Sequence, residues 1–335
     1  PKLLYLSAVL LGLSVNTYLA AKILVPLLLI ILAILYKKEV FNSVRKVFIT
    51  FVIIILFYIP TVVAFGNLTA RGNQVTVLGQ GDFTKVVASN YLYHFSLNFL
   101  FMSGDSIGRH AVPGIGELYV FELPFVLIGL FYLLRDRNRN FKFILACLLI
   151  APVPAAIAQP APHALRSLFS VVWWSLVCAY GLRLALKFKI NRKIFASGGA
   201  LILLIALNNL ITYLHLYYVH YPKEKAIDWG EGYKEMVTYV FENKDKYDEV
   251  DITGYWGHLY IYLLFWGKVD PGEYQMEEKS AYGFGKFKFF ESGGWEGTDD
   301  KKHLVITTPA NGNPDTTLKE ISAHGEKVFR IWEYK

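Results

Sequence analysis

The chain has 335 residues, of which 54% are hydrophobic and 16% aromatic, and its mean hydropathy is +0.35. So much apolar material, concentrated in the first two thirds, excludes an ordinary soluble domain. The net charge of +7 does not argue for nucleic acid, because the lysines and arginines sit in short clusters between apolar runs, as they do in cytoplasmic membrane loops.

Pro1 leads straight into an apolar run with no start signal or cleavage site, so the chain is expected to be a fragment lacking an N-terminal part. About seven membrane spans are predicted, over 3–20, a short one over 22–36, then 47–65, 118–134, 143–158, 168–186 and 194–217, each near the length a bilayer core requires. Every second connection is basic: Lys37, Lys38, Arg45 and Lys46, then Arg135, Arg137, Arg139 and Lys142, then Lys187, Lys189, Arg192 and Lys193. The positive-inside rule makes that side cytoplasmic. Cys147 and Cys178 both lie inside apolar runs, which supports neither a disulfide framework nor a thiolate metal site.

The alternate connections then face outward. They are the turn near Tyr18 and Lys22, a loop over 66–117, a proline-rich turn, and everything after about residue 218. The long loop carries an aromatic stretch over 86–101, in which Asn90 and His94 read as interfacial residues. A Gly-punctuated stretch with Asp105, Arg109 and His110 follows, and reads as a shaped loop. A carboxylate near a cation there is either a loop-stabilising pair or part of a site. Asn67-Leu-Thr69 fits a glycosylation sequon.

The proline-rich turn, 152–168, breaks two apolar runs around His163, Arg166 and Ser167. Prolines remove backbone donors and force an irregular connection. Arg166 lies outward, against the usual charge bias. It reads either as a snorkelling anchor or as a phosphate clamp, since a guanidinium grips phosphate oxygens through paired donors. His94, His110 and His163 show no metal-ligand spacing, so no metal site is predicted and a divalent cation remains only an unsupported option.

After His220-Tyr-Pro222 the chain turns charged. Helices are predicted over 229–243, 256–266 and 315–323, and strands over 248–253, 303–308 and 327–332, which together read as a small α/β domain. Trp256, Trp266 and Trp295 serve either as core or as a saccharide platform. No Gly-rich nucleotide fingerprint precedes a helix. The expected fold is a multi-pass α-helical membrane protein over 1–218 followed by a small extracytoplasmic α/β domain over 219–335, held in the plasma membrane.

Several segments resemble bacterial GT-C membrane glycosyltransferases of the protein-mannosyltransferase and aminoarabinose-transferase type. They are the paired-helix segment from Gly12 to Pro26, the loop Phe99-Leu-Phe-Met-Ser-Gly-Asp105 with Arg109-His110, Gly116-Glu-Leu-Tyr119 with Pro124, Pro162-His-Ala-Leu-Arg-Ser167, and the outward domain from Trp229. The resemblance implies inverting transfer of a sugar from a polyprenyl phosphate carrier to a protein, lipid or glycan acceptor at the outer face. It also implies a catalytic carboxylate in a first outward loop. The Tyr18–Lys22 turn holds no Asp or Glu, so the general base is expected in the missing N-terminal part. The positions matching the family's cations near the carrier phosphate are Lys22, His163 and Arg166, with Tyr18 beside them. A surface-polysaccharide ligase or polymerase and a non-catalytic transporter or anchor stay open as alternatives.

Overall fold

In the computed structural model, which describes residues 2–63, 76–77, 79, 81–189, 191–255, 257, 259–276, 279–280, 283–290, 295–297 and 300–335, the chain divides into two compact units, Pro1–Leu216 and Tyr217–Lys335. The Asn67–Thr69 sequon and Trp256 lie outside the described residues.

Each apolar run of the first unit forms helix. The helices are Lys2–Thr17, Ala21–Leu35, Val44–Leu56 with Ile59–Val63, Leu123–Arg135, Arg139–Ile150 with Val153–Ala156, Phe169–Ala185 and Arg192–His215. Among the described residues, three helical stretches are long and apolar enough to cross a membrane: Val44–Val63, Arg139–Ala156 and Arg192–Glu224. The other four helices have 16, 15, 13 and 17 residues. At the α-helical rise they reach only about 20–26 Å, short of a hydrocarbon core of roughly 30 Å. Local breaks shorten two of them. The first helix ends in the turn that bonds the Ala21 N–H to the Tyr18 carbonyl. Leu123–Arg135 starts late because 118–122 goes into a bend and the 3-10 turn Val120–Glu122, with Pro124 in the first helical turn, a position proline favours.

Two glycines set the tightest helix contact. A Cβ on Gly129 would stand 2.1 Å from the Val177 carbonyl oxygen, and one on Gly181 would stand 1.8 Å from that of Phe125. Helices Leu123–Arg135 and Phe169–Ala185 therefore meet backbone to backbone, as small residues allow in membrane helices. Val126, Leu133, Leu148, Trp174 and Val177 form the core beside them, together with Phe99, Leu100 and Phe101.

The second unit is a seven-stranded mixed sheet in the order β2-β3-β4-β1-β5-β7-β6. The strands are β1 Glu249–Thr253, β2 Lys279–Ser280, β3 Gly283–Phe284, β4 Phe287–Phe290, β5 His303–Thr307, β6 Thr317–Ala323 and β7 Glu326–Tyr334. β4, β1 and β5 run parallel and the other pairings are antiparallel. Val250, Ile252, Leu304, Ile306 and Ile331 pack with Tyr233, Met236, Val237 and Val240 of helix Tyr233–Asn243 and with Leu259 and Leu263 of helix Leu259–Trp266. Alternation along the strands puts Glu249, Asp251, Thr253, His303 and Thr307 on the opposite face, and all five are buried.

The helix predicted over 315–323 is instead strand β6. His324 and Gly325, both at positive φ (44° and 89°), make a two-residue turn of the primed type that matches strand twist. The hairpin pairing with β7 overrides the local helical preference of Leu-Lys-Glu-Ile.

Candidate functional site

The site is built from the Gly-punctuated loop and the proline-rich turn. The loop doubles back on the π-helical turn Asn98–Met102, with the Glu117 and Leu118 N–H groups donating to the Phe99 and Leu100 carbonyls. Gly104 sits at φ +65°, where a Cβ would stand 2.6 Å from the Ile115 carbonyl oxygen, so only glycine fits. The next residue, Asp105, turns its carboxylate inward.

Asp105 is 6% exposed, and both its oxygens are engaged. Oδ1 accepts from the Ile107 N–H at 2.9 Å. Oδ2 accepts from the Ala164 N–H at 2.8 Å and from His110 Nδ1 at 3.0 Å. The Asp105 N–H donates to Glu117 Oε1 at 3.1 Å. His163 Nδ1 lies 3.7 Å from Asp105 Oδ2, and the His110 and His163 rings are 4.6 Å apart. A buried carboxylate is tolerable only with such partners.

The turn is held from the other side by helix Phe83–Tyr93, capped by the Asp82 carboxylate. His94 Nδ1 bonds the Asn90 carbonyl at 2.8 Å, and its Nε2 accepts from the His163 N–H at 3.1 Å. That pair of bonds requires the neutral ring, because a protonated Nε2 would face another donor. Asn90 Nδ2 donates to the Ala156 carbonyl, and Ser167 Oγ donates to that of His163. Arg166 Nη1 donates to the Gln159 carbonyl at 2.7 Å.

Electrostatics follow burial. His163 is pushed down to about 4, first by burial and then by the Arg166 charge, and His94 is lowered, again mainly by burial. Burial pushes Glu117 up to about 7. His163 is therefore neutral near pH 7 and does not supply the cation expected of it. His110 donates through Nδ1, so in its neutral form Nε2 is left as an acceptor. An imidazole oriented by a carboxylate in this way is suited to taking a proton.

One donor atom each from Asp105, His110 and His163 lies within 4.8 Å of the others. Carboxylate and imidazole donors suit a divalent transition metal. The sequence concealed this grouping, because His163 stands 53 positions after His110 and is brought to it by contacts such as the Asp105–Ala164 and His94–His163 bonds. Among the described residues, Glu249, Asp251 and His303 form a second such group. There Lys288 and Lys301 already pair with Glu249, so cations are supplied by the chain itself.

The other predicted residues lie elsewhere. Lys22 Nζ donates to Thr61 Oγ1 at 2.5 Å, and the Tyr58 hydroxyl donates to the Lys22 carbonyl. Tyr18 is exposed at the turn. Among the described residues no hydrogen bond or ion pair joins Lys22 or Tyr18 to the Asp105 cluster. Arg109 is exposed on the loop. Asn90 and His94, expected at the interface, are buried supports of the turn; their i, i+4 spacing on one helix was the available signal. Trp295 packs against His303, Trp332 and Tyr334, and Lys234 lies over the Trp266 ring.

Comparison with family models, with curated proteins and with solved structures returned no match.

Proposed function

We propose that this chain is part of an integral membrane glycosyltransferase that moves a sugar from a polyprenyl phosphate carrier to an acceptor at the outer face of the membrane. The observation that carries this reading is the meeting of two segments, each of which resembles the GT-C enzymes, at one buried carboxylate. Asp105 of the first binds Ala164 of the second, and Arg166 follows on the same turn.

In this reading the shorter helices pass through the bilayer beside the three long ones, giving about seven spans. The basic clusters at 37–46, 135–142 and 187–193 face the cytoplasm. The proline-rich turn and the 219–335 domain then face outward.

Arg166 holds the carrier phosphate, and its guanidinium stabilises the charge that develops as the phosphate leaves. The acceptor oxygen attacks the anomeric carbon while the carbon–oxygen bond to phosphate breaks, and that electron pair stays on the phosphate. Asp105 is a positioning residue, since its oxygens are already engaged. His110 Nε2 is the group in this cluster placed to take the acceptor proton. A carboxylate base outside this chain is the alternative that the family resemblance implies.

The test uses the complete reading frame that encodes this chain, purified into nanodiscs and supplied with polyprenyl-phosphate-linked sugars. Arg166→Ala removes a charge-assisted contact worth roughly 1.5–3 kcal/mol, a loss of about tenfold to a hundredfold in transfer. Arg166→Lys restores it only in part, because a point charge does not reproduce the fork. Equal transfer by all three proteins would refute the assignment.

A further inference from the structure

We propose that the cavity at the start of the second unit is a saccharide-binding site. It is an open pocket of about 530 Å³, lined by Tyr217, Tyr218, Tyr221, Trp229, Glu231 and His324 among others. That volume falls within the range of small-molecule sites, roughly 300–1,000 Å³.

Its rings are arranged before any ligand arrives. Tyr217 and Tyr221 stack with centroids 5.7 Å apart and planes 11° from parallel. The Trp229 indole N–H donates to the Tyr221 hydroxyl at 2.9 Å. Yet Tyr218 and Trp229 remain 71% and 64% exposed, so these large rings are oriented without being used as core. Aromatic faces are electron-rich and take the weakly positive C–H face of a pyranose.

The polar edge is also built. Gly230 and Gly232, at φ +82° and +87°, let the chain turn twice around Glu231. The carboxylate then accepts the His324 N–H at 3.2 Å through Oε1, and its Oε2 lies 3.4 Å from His324 Nε2. His324 reaches that place because it sits in the positive-φ turn between β6 and β7. A carboxylate and an imidazole beside stacked rings suit hydroxyl groups, which both donate and accept.

Tyrosines at the end of the apolar stretch Arg192–Glu224 would also suit a lipid interface. The carboxylate decides between the two. Interfacial aromatics need no acid among them, and Glu231 would repel the phosphate of an anionic headgroup. The proposal does not depend on the transferase reading, since the cavity shares no residue with the Asp105 cluster. Arg166→Ala leaves it intact even where transfer is lost.

The experiment titrates the chain in phosphatidylcholine nanodiscs, free of glycosidic detergents, with tetrasaccharides of glucose, N-acetylglucosamine and mannose. Saturation-transfer NMR and tryptophan fluorescence report binding. At least one probe is expected to bind saturably in the millimolar range or tighter. Trp229→Ala and Glu231→Gln should each weaken it about tenfold, while Trp229→Tyr, which keeps a ring, should stay within a few-fold of wild type. No saturable response to any probe overturns the proposal. So does binding that Trp229→Ala and Glu231→Gln leave unchanged, or a Trp229-dependent emission that follows a switch to phosphatidylglycerol and ignores the sugars.

Discussion

The carboxylate of Asp105 accepts the backbone N–H of Ala164 at 2.8 Å across 59 residues of sequence. That bond fastens the Gly-punctuated loop to the proline-rich turn, and the positions of His110, His163 and Arg166 relative to one another follow from it.

Asp105→Asn should therefore destabilise the first unit. An amide keeps one acceptor, but its NH2 group must face either the Ile107 N–H or the donors of Ala164 and His110. Leaving such a group unsatisfied costs about 1–3 kcal/mol. The expected reading is a thermal midpoint several degrees lower in nanodiscs, with Arg109→Ala, on the exposed part of the same loop, unchanged. Equal midpoints for Asp105→Asn and wild type would remove Asp105 from its anchoring role.

Acid should loosen the turn through its histidines. His163 is pushed down to about 4 and His94 is lowered, so between about pH 6.5 and 4 the unfolded chain binds protons that the native state refuses. Their contribution to stability is present above that window and is lost as pH falls through it. Glu117, pushed up to about 7, acts in the opposite sense: its contribution is present below its unfolded value and is lost as pH rises through 7. Glu117→Gln should thus unmask a steeper fall in thermal midpoint from pH 7 to 5 than wild type shows. A shallower fall in that variant would contradict the assignment.

The helix contact at Gly129 and Gly181 admits no side chain. Gly181→Ala should destabilise by about 1–3 kcal/mol or more through overpacking, and Gly129→Ala should act in the same direction. Gly199→Ala is the control, because its Cβ would meet nothing within 4 Å and alanine is the better helix former. Comparable midpoints for Gly181→Ala and Gly199→Ala would show that these helices do not approach so closely in the membrane.

Orientation can be read with single cysteines in a Cys147→Ala, Cys178→Ala background. Cysteine at exposed positions Ser106 and Lys327 should react with an impermeant maleimide in intact cells. Cysteine at exposed positions Phe41 and Asn138 should react only after permeabilisation. Reaction of the 327 position solely after permeabilisation would invert the proposed topology.

Periodicity determined much of this protein without reference to tertiary contacts. Helices stand at every predicted apolar run, and β1, β5 and β7 fall where alternating residues place them, because hydrophobic period is a local property. The abrupt change of composition at His220–Pro222 lies close to the division of the contacts after Leu216. What tertiary structure decided is of another kind. The β6–β7 hairpin overrode the helical preference of 315–323 through a His-Gly turn and cross-strand pairing. Breaks at Tyr18 and before Pro124 shortened helices whose composition alone reads as spanning. The site itself was legible only in pieces: Asp105, His110, His163 and Arg166 could each be singled out, but not that burial would make His163 neutral or that His94 and Glu117 would support the cluster. Those outcomes depend on which backbone groups the folded chain brings against each side chain, and on how much water it removes.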